Sequence, residues 1–370
     1  MHIKIQKTIL ESIVNQMVPF TEKKDNTQIT SHILISAQDL LTLKATDREI
    51  GLKIQTEAEI LEKGKATINA RKLNNIIKTL KNKEIEIKKE EDIIIITQDT
   101  SIYKLSTFNA NEFPEFPNPE DLNELEIENE EFIDAMKKIF PVIDNNNPKY
   151  ELNGALFDIK EKTRFVSTDT RRLALYNSNG KGKETKIIVP KRSISEIKRI
   201  FNNEMKIFYD DVYLMLEDKN VLFFTKLING KFPEYERIIP QSFKYEIKMP
   251  KNEFLSHLKQ VNIVSNEVKI TIKSNEILFE SLGDETMEAK TSFKIKTDIK
   301  EFTFAVNSRY IIDFLNVINS EEFTLCLNEP NIPFELKDGN FITIIMPLNI
   351  WYNIKNYKKE LNGQIFSRKY

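Results

Sequence analysis

The residues best suited to catalysis or metal binding are few and widely spaced in this chain of 370 residues. Its three histidines, His2, His32 and His257, are too far apart to resemble a zinc-binding motif or a catalytic triad, and Cys326 is the only cysteine. No glycine-rich phosphate-binding segment occurs among only nine glycines. The sequence therefore predicts no metal site, no cofactor and no enzyme. An active site built from dispersed residues remains the alternative.

A different kind of site is indicated by the segment FVSTDTRRLALYN, residues 165–177. Its two ends have the apolar pattern of strands. Between them, Thr168 and Asp169 carry side chains that bond to nearby backbone N–H groups and favour a tight turn. The turn holds Arg171 and Arg172 beside an apolar strand. For this short pattern alone, a hairpin with solvated charges is the simpler interpretation.

Length and composition bound the class of protein. A chain of 370 residues exceeds what one hydrophobic core usually serves, so two or three domains are expected. Lys plus Arg count 54 against 56 for Asp plus Glu, a net charge of −2, which argues against a uniformly basic surface but allows a local basic stripe. No apolar run is long enough to span a membrane, and the N-terminus lacks a signal-peptide pattern. These features predict a soluble cytoplasmic protein with no membrane partner.

Equal spacing of similar elements predicts an internal repeat. The first-helix anchors Leu10, Phe132 and Phe254 are each 122 residues apart, and so are Thr46 and Thr168, which begin Thr-Asp turns. We interpret the chain as three copies of one domain, each with two helices and about eight strands. The predicted helices span residues 8–18, 71–80, 131–140, 191–201, 251–261 and 308–318. A proline-rich stretch near residues 114–121 indicates the first boundary.

Five motifs, taken in order, resemble a known family. They are YELNGALF (150–157), the TDTRRLA turn (168–174), NGKFPEYERIIP (229–240), NSRYIIDFL (307–315) and IIMPLNI (344–350). Together they are similar to the bacterial DNA polymerase sliding clamp, the beta subunit of the replicase, over nearly the whole chain. Thr170 and Arg171 depart from the family segment, which usually has a small residue and a histidine there.

The resemblance implies an α+β fold of three DNA-clamp domains, each with two helices on antiparallel sheets, and a head-to-tail homodimer that forms a ring. We expect domains at 1–120, 121–245 and 246–350, with a C-terminal extension at 351–370. The implied function is that of a non-catalytic clamp that encircles double-stranded DNA without reading sequence. Its implied partners are the replicative polymerase alpha subunit, the clamp-loader complex and other proteins that carry clamp-binding motifs. A repeat β-rich enzyme or assembly protein unrelated to DNA is the alternative.

The resemblance also implies a cleft that binds partner peptides beside the TDTRRLAL hairpin. Leu173, Ile238, Ile345 and Met346 would anchor apolar side chains, and Arg172 and Arg237 would lie at the rim for polar or acidic groups. A simpler interpretation is that at least some of these aliphatic residues are buried in the core and do not contact a peptide. The full expected lining is Leu152, Thr168, Thr170, Arg171, Arg172, Leu173, Pro233, Arg237, Ile238, Asn307, Tyr310, Ile344, Ile345, Met346, Pro347 and Leu348.

Two further surfaces are expected. The resemblance places Lys72, Tyr103 and Leu105 of one chain opposite Ile263, Val264, Glu285 and Glu288 of the other in the dimer. Basic residues opposite the apolar helix stripes are usually solvated, but in a ring they would sum to a lining that attracts phosphates. Two lysines of a loop, Lys23 and Lys24, and two residues beside the cleft, Lys149 and Tyr150, are expected to contact DNA as well. The expected contacts on the helices are Arg71, Lys78, Lys137, Lys138, Arg192, Arg199 and Lys259.

The segment Trp351–Tyr370 extends beyond the family pattern. It is basic and rich in aromatic residues, with Lys355, Lys358, Lys359, Arg368 and Lys369 against Glu360 alone. Terminal segments are usually mobile. Against that simpler interpretation, we predict that Trp351 and Tyr352 pack on the third domain close to the cleft and that the segment competes with incoming peptides.

Overall fold

The computed structural model describes residues 1–23, 28–201, 204–283 and 287–349. The segment 351–370, for which competition with peptides was hypothesised, lies outside them, as do Lys24 and Glu285. No helix among the described residues is long and apolar enough to cross a membrane.

The three parts of the chain repeat one order of elements: a strand, a helix, several strands, a second helix and three more strands. The first part comprises β1 His2–Gln6, α1 Lys7–Met17, β2 His32–Ala37, β3 Leu41–Thr46, β4 Ile50–Thr56, β5 Glu59–Glu62, β6 Gly64–Asn69, α2 Ala70–Thr79, β7 Glu84–Glu90, β8 Ile93–Gln98 and β9 Ser101–Ser106. The predicted pattern of two helices and about eight strands is confirmed here, with β5 as one additional strand.

The other two parts follow without the additional strand. The middle part comprises β10 Asn123–Glu124, α3 Asn129–Ile139, β11 Gly154–Ile159, β12 Arg164–Thr168, β13 Arg172–Asn177, β14 Thr185–Pro190, α4 Lys191–Ile200, β15 Lys206–Tyr209, β16 Tyr213–Glu217 and β17 Val221–Lys226. The last part comprises β18 Tyr245–Pro250, α5 Lys251–Asn262, β19 Glu267–Lys273, β20 Glu276–Ser281, β21 Lys290–Lys294, β22 Glu301–Asn307, α6 Ser308–Val317, β23 Glu322–Leu327, β24 Phe334–Asp338 and β25 Phe341–Ile345.

The helix anchors are fully buried, which explains why their spacing is visible in the sequence. Leu10, Phe132 and Phe254 have no exposed surface, and Ile77 and Ile197 on the second helices are equally buried. Each belongs to an apolar stripe at helical spacing that packs against a sheet. The same arrangement of buried positions therefore recurs in each part.

The chain folds into two compact units, and the middle part contributes to both. Of the described residues, unit 1 contains those within 1–133, 159–161 and 180–228, and unit 2 contains those within 134–158, 162–179 and 229–349. Unit 1 holds an antiparallel sheet in the order β5-β1-β7-β8-β9 and an eight-stranded sheet in the order β10-β15-β16-β17-β4-β3-β2-β6. In the second sheet, β17 pairs with β4, so strands of the middle and first parts form one continuous ladder.

Unit 2 has the corresponding construction. Seven strands of one sheet lie in the order β11-β12-β13-β25-β24-β23-β18, and four strands form the sheet β21-β20-β19-β22. Here β13 of the middle part pairs with β25 of the last part over five residue pairs, from Arg172–Ile345 to Tyr176–Phe341. This pairing brings the TDTR turn beside residues 344–346, although they are far apart in the sequence.

Candidate functional site

The turn between β12 and β13 is held by its own side chains, as the sequence predicts. Thr168 Oγ1 donates to the carbonyl oxygen of Arg172 at 2.7 Å and accepts from the N–H of Thr170 at 3.1 Å. Asp169 Oδ1 accepts from the N–H groups of Arg171 and Arg172, both at 3.0 Å. Thr170 adopts a positive φ of 73°, a conformation that a β-branched residue rarely takes.

The first Thr-Asp turn repeats this arrangement. Thr46 Oγ1 donates to the carbonyl oxygen of Ile50 at 2.8 Å and accepts from the N–H of Arg48 at 2.9 Å. Asp47 Oδ1 accepts from the N–H groups of Glu49 and Ile50. Arg48 has a φ of 74°, which matches that of Thr170. The repeat inferred from spacing is thus confirmed at the level of individual hydrogen bonds.

Arg172 connects three chain segments in unit 2. Its Nε donates to Asp169 Oδ2 at 2.9 Å, its Nη1 to Asp313 Oδ2 at 2.7 Å and its Nη2 to the carbonyl oxygen of Pro141 at 3.0 Å. The guanidinium also lies 4.5 Å from the centre of the Tyr310 ring. The side chain is only 8% exposed, and its Nε, Nη1 and Nη2 atoms each already donate to another residue, so little of its charge is available at the rim. It holds the hairpin against α6 instead.

A groove of about 360 Å³ opens beside this hairpin. Predicted residues that line it are Thr168, Thr170, Arg171, Arg172, Leu173, Arg237, Ile238, Ile344 and Met346. Residues that line it and were not predicted are Ile239, Pro240, Asn328, Ile332 and Pro333. The missed residues include two Ile-Pro pairs, in IIP and NIP, so a search for exposed apolar residues fixed by proline offers a sequence signal for them.

The remaining predicted lining residues lie outside the groove for identifiable reasons. Leu152 and Ile345 are core residues with 1% and 0% of their surface exposed. Because side chains alternate along a strand, Ile345 points away from the face that carries Ile344 and Met346. Asn307 caps α6 by accepting from the N–H of Arg309, and Leu348 bonds to the Ala305 backbone. The others outside the lining are Pro233, Tyr310 and Pro347.

One wall of the groove is fixed by a buried tyrosine. Tyr235 Oη donates to Asp158 Oδ2 at 2.6 Å, and Arg164 Nη1 bonds to Glu236 Oε1 at 2.7 Å. Burial, and secondarily the bond to Asp158, raises the pKa of Tyr235 well above its ordinary value, so the phenol remains a hydrogen-bond donor. These bonds anchor the short helix Tyr235–Ile238, which carries Arg237 into the lining.

The predicted DNA-contacting residues fall into three groups. Those with exposed side chains are Lys23, Arg71, Lys78, Lys137, Lys149, Tyr150 and Lys259. Arg192 and Arg199 are also exposed, at 43% and 39%, but form ion pairs: Arg192 bonds to Asp47 and the Pro19 carbonyl, and Arg199 bonds to Glu196 and the Gln16 carbonyl. In the first group, Arg71 also donates to the Lys23 carbonyl. Lys138 is buried, where it pairs with Asp134 at 2.8 Å and lies over the Tyr176 and Phe341 rings. The DNA contact predicted for Lys138 is therefore wrong, since its charge is enclosed within unit 2.

Of the described residues predicted for the dimer contact, Lys72, Ile263 and Glu288 are exposed, and Tyr103, Leu105 and Val264 are half-buried. Tyr103 and Leu105 are on β9, the last strand of its sheet, and Lys72 is exposed nearby on α2. In unit 2, Ile263 is 85% exposed immediately after α5, and Glu288 is exposed shortly before β21. Val264 is half-buried.

Comparison with known proteins identifies the class of fold. A solved structure of the Helicobacter pylori beta clamp bound to a DNA ligase peptide matches with a TM-score of 0.90 and 34% identity, covering 95% of this chain and all of that one. A Bacillus subtilis DNA polymerase sliding clamp matches with a TM-score of 0.88 at 22% identity, over 94% of this chain and 99% of its own, which shows the fold alone.

Sequence comparison identifies the family. Models of the N-terminal, central and C-terminal domains of the DNA polymerase III beta subunit match residues 1–117, 126–234 and 236–349 in that order. The beta sliding clamp of Helicobacter pylori strain J99 is 34% identical over 374 residues, covering 95% of this chain and all of the relative. The chain belongs to the DNA polymerase III beta subunit family, in which three clamp domains form a non-catalytic processivity subunit. The alternative of an unrelated enzyme or assembly protein is wrong.

Proposed function

We propose that this protein is a DNA sliding clamp that encircles duplex DNA and tethers the replicative polymerase and other DNA-processing proteins. The observation that carries the proposal is the way its sheets join. In unit 1, β17 pairs with β4, and in unit 2, β13 pairs with β25. Each junction joins the same two repeat positions, the strand after the Thr-Asp turn and the last strand of a neighbouring repeat.

Within one chain, one strand of each of these two repeat positions has no partner at such a junction. β9, the last strand of the first repeat, ends its sheet, and so does β21, which follows the third repeat's turn position. Pairing β9 of one chain with β21 of a second copy would use the same junction twice more. Two chains joined head to tail in this way close a ring of six domains in which no junction strand is left unpaired.

The chemistry of the predicted contact surfaces agrees with this ring. Leu105 on β9 and the exposed Ile263 would supply apolar contact, and Lys72 and Glu288 are of opposite charge. In such interfaces, apolar burial supplies most of the affinity and charge pairs set the register. Glu285 and Val264 complete the proposed surface.

We propose that the three domains span residues 1–120, 121–245 and 246–350.

DNA contact in the proposed ring is made by phosphate attraction without base readout. The exposed lysines and arginines of the helices, with Lys23 and Lys24, would release counterions from duplex DNA, so affinity depends on salt and not on sequence. Arg192 and Arg199 would attract phosphate only through the part of each guanidinium that is exposed to solvent. Partner peptides from the polymerase alpha subunit, the clamp loader and other clamp-binding-motif proteins would dock in the groove of unit 2. The protein would act in the cytoplasm.

Topological retention on DNA tests the proposal. The chain is loaded onto nicked circular plasmid by an ATP-driven clamp loader and separated from free protein by gel filtration. We expect it to remain on circular DNA and to be lost after the plasmid is cut once, because a ring slides off an end. Equal retention on circular and linear DNA would contradict encirclement.

A variant tests the ring contact. Ile263→Asp places a charge in the proposed interface, so we expect monomers in sedimentation velocity and loss of circular-DNA retention. Val212→Asp is the matched control, since Val212 is 49% exposed and lies outside the proposed contact. A dimeric Ile263→Asp variant would place the interface elsewhere.

A further inference from the structure

The chain leaves each of the three repeats in the same way. Phe108, Ile228 and Leu348 are successively 120 residues apart. Their N–H groups donate to the corresponding end strands β6, β14 and β22, at 2.9, 2.8 and 2.8 Å. After the first two of these residues the chain continues as linker 1, residues 109–122, and linker 2, residues 229–244. The repeat therefore extends to the segments that follow its last strands.

Linker 1 covers an apolar face of the middle repeat. Met215 on β16 and Leu222 and Phe224 on β17 form this face, and all three are buried. Phe116 of the linker contacts Phe224 edge to face, with ring centroids 4.8 Å apart, and Leu122 packs against the same cluster. The linker that follows the first repeat thus removes apolar side chains of the next repeat from water.

Linker 2 lies beside the equivalent face of the last repeat. Ile342 and Ile344 on β25 follow the β17 pair of that face by 120 residues, and they are only 8% and 3% exposed. Residues 238–240 of linker 2 line the same groove as Ile344. In both cases, the segment that follows one repeat packs on the next one.

The equivalent face of the first repeat is open in the part of the chain that the structure describes. Ile95 on β8 and Ile102 on β9 are the counterparts, 120 residues earlier, of the β16 and β17 residues covered by linker 1. Ile93 lies on the same side of β8 as Ile95. Ile93 is 43% exposed and Ile102 is 64% exposed. These three isoleucines form an apolar surface, the β8–β9 face, at a position that is covered in the other two repeats.

The segment 349–370 starts where the two linkers start and is long enough to reach such a face. In the proposed ring, β22 is followed across the sheet by β19, β20 and β21, and then by β9 and β8 of a second copy. Neighbouring strands lie about 4.8 Å apart, so the path from β22 to that β8 is about 24 Å. The segment has 22 residues (349 to 370), whereas linker 1 crosses six strand spacings, from β6 to β15, with 14 (109 to 122).

The composition of this segment suits an apolar surface. Its aromatic residues are Trp351, Tyr352, Tyr357, Phe366 and Tyr370. Aromatic side chains bury large apolar areas, and Phe116 uses the same property in linker 1.

We infer that residues 349–370 of each chain cross the proposed β9–β21 junction and pack on the β8–β9 face of the second copy. The inference rests on the proposed function, because it requires the head-to-tail ring. At the junctions β17–β4 and β13–β25, a covalent linker continues from one repeat to the next. No peptide bond joins two copies at the third junction, so the segment would add apolar contact there and stabilise the closed ring.

Truncation after Asn349 tests the inference through the dimer. We expect the dimer dissociation constant, measured by sedimentation velocity over a dilution series, to rise about tenfold because apolar contact is lost. Ile93→Ser/Ile102→Ser should weaken the full-length dimer similarly and should have no further effect on the truncated one. Leu40→Ser is the matched control, since Leu40 is 43% exposed and lies outside the β8–β9 face.

A fluorescently labelled peptide of residues 350–370 tests the location of the contact. We expect the truncated protein to bind this peptide in an anisotropy assay. Binding should be lost in the Ile93→Ser/Ile102→Ser variant and retained in Met346→Ala. The reverse pattern would place the segment in the groove of unit 2 and would overturn the inference.

The remaining outcomes separate the inference from the ring itself. If the full-length chain is monomeric, the ring and the contact made by the segment fail together. If truncation leaves the dimer equally tight while Ile263→Asp still gives monomers, the ring stands and the inference is wrong. If Ile93→Ser/Ile102→Ser weakens the truncated dimer as much as the full-length one, the substitutions act through β9, and the segment does not cover this face.

Discussion

Arg172 and Arg192 make the same pair of contacts in the two units, although they come from different elements. Arg172 bonds to Asp169 and the Pro141 carbonyl, and Arg192 bonds to Asp47 and the Pro19 carbonyl. Both aspartates belong to Thr-Asp turns, and both prolines follow the first helix of their repeat. Arg172 begins β13, whereas Arg192 is in the first turn of α4. An arginine between the turn and the helix end is thus a common device of both junctions, supplied by different sequence positions.

Breaking the Arg172 network is expected to destabilise unit 2. Arg172→Met leaves the Asp169 and Asp313 carboxylates without a cation, which should cost about 3 kcal/mol in urea unfolding. Asp313→Asn should cost less, about 1 kcal/mol, because Asp169 still pairs with the arginine. The double variant should be less destabilised than the sum, with a coupling of about 1–2 kcal/mol. Arg164→Met, which breaks a more exposed pair with Glu236, is the control. Strict additivity would show that the two residues act independently.

Met346 and Ile345 are adjacent but should have opposite effects. Met346 is 45% exposed in the groove lining, so Met346→Ala should weaken peptide binding more than tenfold with little change in melting temperature. Ile345 is buried, so Ile345→Val should lower stability by about 1 kcal/mol and leave affinity unchanged. Leu173→Ala is a poor binding probe, because Leu173 is buried and its truncation also damages the core. Peptide affinity and thermal unfolding of each variant decide the matter.

Replacing Thr170 with glycine should stabilise the protein. Thr170 holds a φ of 73°, which is costly for a β-branched residue and natural for glycine. Glycine also raises the entropy of the unfolded chain, which offsets part of the relief of backbone strain. We therefore expect the free energy of unfolding in urea to rise by about 0.5–1 kcal/mol. Arg48→Gly tests the equivalent position at a φ of 74°, where the unbranched side chain predicts a smaller gain. Destabilisation by Thr170→Gly would mean that the threonine side chain makes contacts that outweigh the backbone strain.

His32 should make stability depend on mildly acidic pH. Burial lowers its pKa from 6.5 to about 4, and Lys72 adds repulsion. As pH falls, His32 therefore becomes protonated near pH 6.5 in the unfolded chain but only near pH 4 in the folded chain. Stability contributed by neutral His32 is present above pH 6.5 and is lost as pH falls to 4, by up to about 3 kcal/mol. Wild type should lose more melting temperature than His32→Gln between pH 7.5 and 4.5. Parallel losses would show that His32 is not responsible.

The sequence by itself determined the local devices and their repetition. Thr168 and Asp169 close their turn through hydrogen bonds within four residues, and the buried positions Leu10, Phe132 and Phe254 mark amphipathic helices. Such features depend on neighbours in the chain, so residue types and spacing are enough to predict them. The order of motifs then identified the family.

Only the tertiary structure decided which residues are available for binding. Arg172 is neutralised by Asp313, which is 141 residues away in the chain, and Lys138 is enclosed by rings that no local pattern places there. Ile345 and Met346 differ in role because β25 pairs with β13 in one register, and strand alternation then points one side chain inward and the next outward. The exposure of these side chains depends on pairing between segments far apart in the chain, and residue type alone does not predict that pairing.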